Sequence, residues 1–331
     1  MQLQLPIHIP SPAPLIEHRD RILLTGSCFT EHMSGRLAQA KWQTLANPNG
    51  ILFNPLSVAD ALVSYIEHRV YTEDSLFYLN ELWQHWDFHS RFSNVDKATA
   101  LEDMNRSISS AHRFLESADW LIITLGSAYQ YFDRHTDSRE IPVANCHRAP
   151  GQWFEKRLLG TDVITRTLQK TIEALRQFNP SLKIMFTISP VRHIRDGIIE
   201  NNRSKARLLE AVHTLTEQNG ACFYFPAYEL AIDVLRDYRF YDIDMVHPNY
   251  ACTQYIWEQF TYTCMSEKAR EIMMLMKDIT TAFQHRTRFP DTRAHQQFLG
   301  TYSRKTAALV QAYPYVDLEA ERAYFDGHAS L

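Results

Sequence analysis

The sequence predicts an α/β protein, a three-layer α/β/α sandwich around a parallel sheet with a helical C-terminal extension. Three observations carry this. Runs of strand length are apolar throughout at 21–27 (RILLTGS), 119–127 (DWLIITLGS), 181–191 (SLKIMFTISPV) and 221–226 (ACFYFP), with a weaker run at 50–55 (GILFNP). A strand without polar alternation is covered on both faces, as in a parallel sheet. Helical periodicity fills the gaps, and a β-α-β-α order belongs to a doubly wound fold. After Cys264 no strand pattern remains, and EKAREIMMLMKDITTAF and AHQQFLGTYSRKTAALVQAY read as helices.

Taken in order, the N-terminal segment MQLQLPIHIPSPAPLIEHRD lacks the basic region and long apolar run of a secretory signal. After the first strand, Phe29, Met33, Leu37 and Ala40 share one helical face. Ser57 and Asp60 form a capping-box pair for a helix running towards Arg69. Residues 72–100, around LNELWQHWDFHSRFS, break the alternation and read as an aromatic insertion or lid. Ile164, Leu168, Ile172 and Leu175 form a stripe ended at Asn179-Pro180. Leu208, Val212 and Leu215 form another, stopped at Gly220. The polar run RHIRDGIIENNRSKAR (192–207) reads as a solvated loop opening that helix, with Arg192 and Arg195 as anchors for an anionic substrate.

Composition excludes several classes. With 34 Lys+Arg against 38 Asp+Glu the net charge is −4, which offers no footprint for nucleic acid or an acidic membrane. No stretch approaches the ~20 apolar residues of a membrane span. Cys28, Cys146, Cys222, Cys252 and Cys264 are scattered, odd in number and without a C-x-x-C pair. That argues against a disulfide framework or a zinc knuckle, and for a cytoplasmic protein without a metal. The adjacent Cys146 and His147 have no second pair with which to chelate an ion.

Ligands of open parallel sheets bind at the carboxyl ends of the strands, so the chemistry is sought there. ILLTGSCFTEHM (22–33) places Ser27 and Cys28 at the first such end, where a side chain projects beside the N–H groups of a new helix. Ser27 reads as a nucleophile or as a simple helix cap. Cys28 reads as a rival nucleophile or as a small packed hydrophobe. Near the chain's last strand, YDIDMVHPNY (241–250) sets Asp244 three residues before His247, just ahead of a helix entered through Pro248. A carboxylate there can fix the tautomer of the imidazole and leave Nε2 as a general base. Asp242, five residues from His247, is a rival orienter.

TGSCF, the D-x-x-H-P block and the strand order resemble the SGNH/GDSL hydrolase superfamily. The closer resemblance is to the bacterial GSCFA family, whose motif stands here as Gly26-Ser27-Cys28-Phe29-Thr30. NPNGILFNP (47–55), WDFHSRFS (86–93), VANCHRAP (143–150), SPVRHIRDG (189–197) and DMVHP (244–248) extend it over roughly residues 20–262. The resemblance implies a flavodoxin-like sheet, residues 1–264 as the hydrolase-like domain with 265–331 packed on it, and ester hydrolysis or acyl transfer through Ser27, His247 and Asp244. No cofactor is implied. The substrate expected is a small-molecule or carbohydrate ester; the Trp and Phe residues of 83–92 read first as core or lid packing and second as a platform for such a substrate.

The sequence also departs from the superfamily pattern. Gly26 stands where an aspartate is usual, and the block that normally supplies an oxyanion-hole asparagine reads Gly126-Ser127-Ala128-Tyr129. Gly50 resembles the second-block glycine whose backbone N–H helps hold the oxyanion. The missing donor is sought among Ser127, Asn145, His147, Arg192 and His193. With Cys28, Gly50, Asn54 and Gly126 these make up the expected oxyanion and substrate-binding set. His89, His147 and His193 also suit structural roles. Three functions remain open on the sequence: a serine esterase or deacylase, an O-acyltransferase using the same acyl-enzyme, and a non-catalytic binding protein on the same fold.

Overall fold

The structure, a computed structural model, describes residues 5–135 and 141–328. Its first half runs β1 (Ile22–Gly26), α1 (Cys28–Gln39), β2 (Thr44–Ala46), α2 (Pro55–Ile66), a hairpin of β3 (Phe77–Leu79) and β4 (Leu82–Gln84), α3 (Lys97–Leu115) and β5 (Trp120–Leu125). Then come β6 (Tyr129–Asp133), β7 (Ile141–Val143), β8 (Phe154–Leu158), α4 (Thr161–Phe178), β9 (Lys183–Ile188), α5 (Ile198–Gln218) and β10 (Cys222–Phe225). A short α6 (Ala227–Glu229) runs on as a π-helical stretch to Leu235, followed by α7 (Tyr250–Cys264), α8 (Glu267–Gln284), α9 (Arg293–Ala312) and α10 (Glu319–His328).

Five strands form the central sheet in the order β10-β9-β5-β1-β2, every neighbouring pair parallel. Counted along the chain this is the flavodoxin-like order 2-1-3-4-5, with its switch point between β1 and β5. Side chains alternate between two cores. Leu23, Leu121, Ile123, Ile184 and Phe186 face α2, α3, α4 and α5, whereas Ile22, Leu24, Trp120, Ile122 and Met185 face α1, the α6 stretch and α7. This is the expected α/β/α sandwich. The last three helices share a third core around Met276, Leu299 and Phe325. They are tied to the body by Thr280 donating to the Gln39 carbonyl (2.9 Å) and by Lys41 pairing with Glu321 (2.6 Å), whose side chain is buried.

Several expectations are corrected. The run 50–55 is no strand. β2 lies earlier, and Asn47 (φ 47°) and Gly50 (φ 83°) turn the chain out of the sheet, with the Gly50 N–H closing on the Asn47 carbonyl. The cap of α2 is Asn54, whose Oδ1 accepts from Ser57 N with Pro55 at the first helical position; the Ser57–Asp60 box does not form. The run 192–207 is an exposed loop only around 194–197, as expected; α5 opens at Ile198, and its Asn201, Ser204 and Lys205 are buried, not solvated. The region 72–100 holds the β3–β4 hairpin and the start of α3, and the Trp86 carbonyl accepts from the N–H groups of Ala144 and Asn145. The helix after Pro248 begins at Tyr250, capped by Asn249.

Gly26, at the end of β1, has a φ of +142°, and an added Cβ would lie 2.2 Å from the Thr124 carbonyl oxygen of β5. Only glycine fits there. Gly26→Ala is expected to lower the unfolding free energy by about 3 kcal/mol or more, read as a fall in the urea midpoint.

Candidate active site

Ser27 ends β1 and caps α1 with an extended backbone (φ −70°, ψ 176°). Its Oγ accepts from Phe29 N at 3.3 Å, and its own N–H is spent on the Thr124 carbonyl at 3.1 Å. The first N–H of a helix has no intrahelical acceptor, and among the described residues the Cys28 N–H beside Ser27 meets no acceptor but its own sulfur. Ser27 is the more buried of the pair at 3% exposure, and Cys28 is only half-buried, which corrects its reading as a packed hydrophobe. Burial pushes the Cys28 thiol up, so it stays protonated.

Asp244 and His247 are joined. Oδ2 of Asp244 lies 2.6 Å from His247 Nδ1, and Oδ1 accepts from the backbone N–H groups of Val246 (2.9 Å) and His247 (3.0 Å). These bonds to its charged form hold the Asp244 carboxyl down to about 2. With Nδ1 committed, His247 presents Nε2, which has no protein partner among the described residues. Asp242 spends its N–H on the His247 carbonyl and makes no side-chain bond to the ring among those residues.

Both groups stand on the carboxyl edge of the sheet. The segment after β2 lies against the switch point, Leu52 N donating to the Gly26 carbonyl and Phe53 O accepting from the N–H groups of Gly126 and Ser127. After β9, Arg192 N donates to the Val246 carbonyl and so holds the histidine loop. Between them sits His193, whose Nε2 is 3.2 Å from where a Cβ on Gly126 would stand and which feels the charge of His247. Ser27 and His247 are not hydrogen-bonded to each other among these contacts; such bonds often tighten only once substrate is present.

The N-terminal half of α5 braces this edge, and the sequence reading missed it. Asn201 Oδ1 accepts from His193 N (2.9 Å), and Ser204 Oγ accepts from Ala128 N (2.7 Å) and meets Ser127 Oγ at 3.3 Å. Lys205, 1% exposed, donates from Nζ to the carbonyls of Gly126 and Ser189, both at 2.6 Å. Burial draws this amine down to about 7. The available signal was register: Lys205 continues the stripe of Leu208, Val212 and Leu215 by three residues.

The expected oxyanion donors separate on their partners. The Gly50 N–H is engaged in its turn, and its missing Cβ makes room for His89, which would otherwise be 2.1 Å away. Ser127 is committed through its N–H to Phe53 and through Oγ to Tyr129 N and Ser204. His147 contacts the His85 carbonyl through Nε2 at 2.8 Å, so Nδ1 is a bare acceptor, buried and unpartnered. Arg192 donates to Tyr238 OH (2.9 Å) and stacks on Tyr238 and Tyr241. Burial, with the charges of Lys205 and His247, drives His193 down to about 3. It is neutral, and its Nε2 is buried without a partner among the described residues. Asn54 and Asn145 use only Oδ1, leaving each Nδ2 without a protein partner among the described residues.

Beside these groups opens a cavity of about 720 Å³, lined by Asn54, Ser127, Asn145, His147, Arg192 and His193 of the expected set, and by Tyr129, Tyr131 and Phe154. Ser27, His247 and Gly126 do not line it; Val246 does. Among the described residues no cluster of three or more His, Cys, Asp or Glu is placed to hold a metal ion, and no helix is long and apolar enough to cross a membrane.

Fold and site together define an open parallel α/β/α protein with its polar machinery gathered at the switch point. The chain belongs to the GSCFA family, whose model matches residues 21–260; residues 276–327 match a second model, that of the GSCFA domain protein C-terminal domain. No curated protein matches the sequence. Solved structures similar to it include a carbohydrate esterase family 3 from Talaromyces cellulolyticus and an acetyl esterase mutant with an acetate ion. Each is 10% identical over 78% of this chain and 99% of the other, at a TM-score of 0.35.

Replacing Lys205 by methionine strands two buried carbonyls, each worth about 1–3 kcal/mol when unpaired. Lys205→Met is expected to lower the unfolding free energy by about 3 kcal/mol in urea titration.

Proposed function

We propose that this chain is a serine esterase or deacylase in which Ser27 is the nucleophile, His247 its base and Asp244 the orienter of that base. The observation that carries the reading is the 2.6 Å Asp244–His247 contact, with Nε2 free, on the edge of the sheet where Ser27 begins a helix. His247 Nε2 takes the Oγ proton as Oγ bonds to the ester carbonyl carbon. The oxyanion is received by the Cys28 N–H and by Asn54 Nδ2, which replaces the asparagine missing from the block at 126–129. His247 then gives its proton to the alkoxide as the C–O bond breaks and the alcohol leaves. Water, deprotonated by the same histidine, attacks the acyl-enzyme and frees the acid.

The test is intact-mass labelling with a fluorophosphonate. Wild type and Cys28→Ala are expected to gain one adduct, Ser27→Ala and His247→Ala none; an unlabelled but folded wild type would sink the reading. Asn54→Asp keeps the helix-capping oxygen but removes the amide donor. It is expected to lower kcat by roughly 10²–10³ with the thermal midpoint little changed.

The pH dependence follows from Asp244. Its folded value is depressed, so the stability that its carboxylate gives the histidine loop is fully present above the unfolded value of about 4 and is lost as pH falls through about 2. The acid limb of kcat/KM above about pH 4 should therefore show a single ionisation, not the two that a titrating Asp244 would add.

A further inference from the structure

The cavity beside the proposed nucleophile has a charge balance opposite to that of the chain. Arg148, Lys156, Arg192 and Arg195 line it against one carboxylate, Asp196, on a protein whose net charge is −4. Two of the cations are already in use. Lys156 pairs with Asp196 and lies 4.4 Å above the Tyr129 ring, while Arg192 is bonded to Tyr238. Arg148 and Arg195 have no carboxylate partner among the described residues, and Arg195 is near enough to act on the Cys146 thiol.

The loop that carries Arg148 is held by one outside carbonyl and by two bonds of its own. Trp86 O accepts from the N–H groups of Ala144 and Asn145, Asn145 Oδ1 accepts from His147 N (2.9 Å), and Ala149 N closes on the Cys146 carbonyl (2.8 Å). His147 and Arg148 are both held at positive φ, 47° and 59°. Such backbone costs of order 1 kcal/mol per residue and persists only where the surroundings fix it. Arg148 is thus presented by a rigid turn. Tyr129, Tyr131 and Phe154 also line the cavity; Lys156 sits over the first two rings, and Phe154 packs edge-to-face with Tyr131 and Trp86.

We propose that this cavity is the substrate's leaving-group subsite and that Arg148 and Arg195 receive an anionic oxygen group, a phosphate or a carboxylate, carried on the alcohol part of the ester. A guanidinium fork matches either group through paired N–H bonds, and two forks without carboxylates of their own gain most from it. The orientation of the ligand, with its acyl carbon towards Ser27, rests on the esterase reading; the anion site itself does not.

The experiment separates the two. Glucose 6-phosphate, glucuronate and glucose are titrated by calorimetry into full-length Ser27→Ala protein, with and without Arg148→Gln and Arg195→Gln. Acetylated forms of the same three sugars are assayed on the chain with Ser27 intact. Tenfold or tighter binding of one anionic sugar over glucose, weakened at high salt and lost in the double variant, is expected. A matching fall in the anionic-to-neutral kcat/KM ratio, carried by KM, is expected on the esters. The phosphate and carboxylate arms identify which group is taken.

Equal binding of all three sugars, or a preference that survives in the folded double variant, overturns the proposal. If Ser27 takes no fluorophosphonate while arginine-dependent anion binding persists, the esterase reading falls and the subsite stands. If Ser27 is labelled and no anion preference exists, the subsite alone falls.

Discussion

The arrangement depends on one buried lysine amine. At the carboxyl edge of a parallel sheet the last carbonyls of neighbouring strands lose their partners as the chains diverge. Lys205 takes two of them, Gly126 O at the end of β5 and Ser189 O after β9, from a helix that packs across the same sheet. A carbonyl left bare there would cost more than most single contacts contribute. Ser204 and Asn201, one and four residues earlier, fasten Ala128 and His193. One turn of α5 thereby sets the loops after β5 and β9, and through Arg192 and Val246 the loop that carries His247.

This explains the unequal halves of the site. Ser27 is held by the sheet, by its capping contact and by a glycine that admits no Cβ, and it is nearly inaccessible. The Asp244–His247 pair is about half-exposed on both side chains, so solvent screens the Coulombic part of its attraction. Its geometry is kept instead by the two backbone bonds to Asp244 Oδ1 and by the Arg192–Val246 contact. Orientation of the imidazole is built into the loop and does not rest on burial of a charge.

What was legible in the sequence follows the range of the interaction behind it. The four strongly apolar strands and the Asp244–His247 spacing are local, and a pattern records them; the cap of α2 is local too, but Asn54 was passed over for Ser57. β2 was misplaced because the apolar residues of 51–53 cover the core from a loop, and burial alone does not distinguish loop from strand. α3 was passed over because its buried stripe of Ala100, Met104, Ile108, Ala111 and Leu115 includes small residues that dilute the periodic signal. β6 and β8 pair as YQYFD and FEKRL, mixed sequences whose strand character depends on each other. Register alone could mark Lys205 as facing the core, but its role needed carbonyl partners 16 and 79 residues away, and the free Asn54 amide needed a cavity assembled from distant loops.

The same constraint bears on the cavity's charge. Lys205 is screened from solvent and spent on carbonyls, so it adds positive potential near the strand ends without offering a free bond there. Arg148 and Arg195 add theirs farther out, where N–H groups remain to be used. A group that is negative both at the outer end of a ligand and, transiently, at its reacting carbonyl would meet positive potential at both points. On the proposed reading, binding energy collected at the arginines is available in ground state and transition state alike and so would act on KM, whereas the proposed donors at Cys28 and Asn54 would act on charge that exists only in the transition state and so would raise kcat. The two kinds of contact are set on different loops, and substitution can therefore move one parameter without the other.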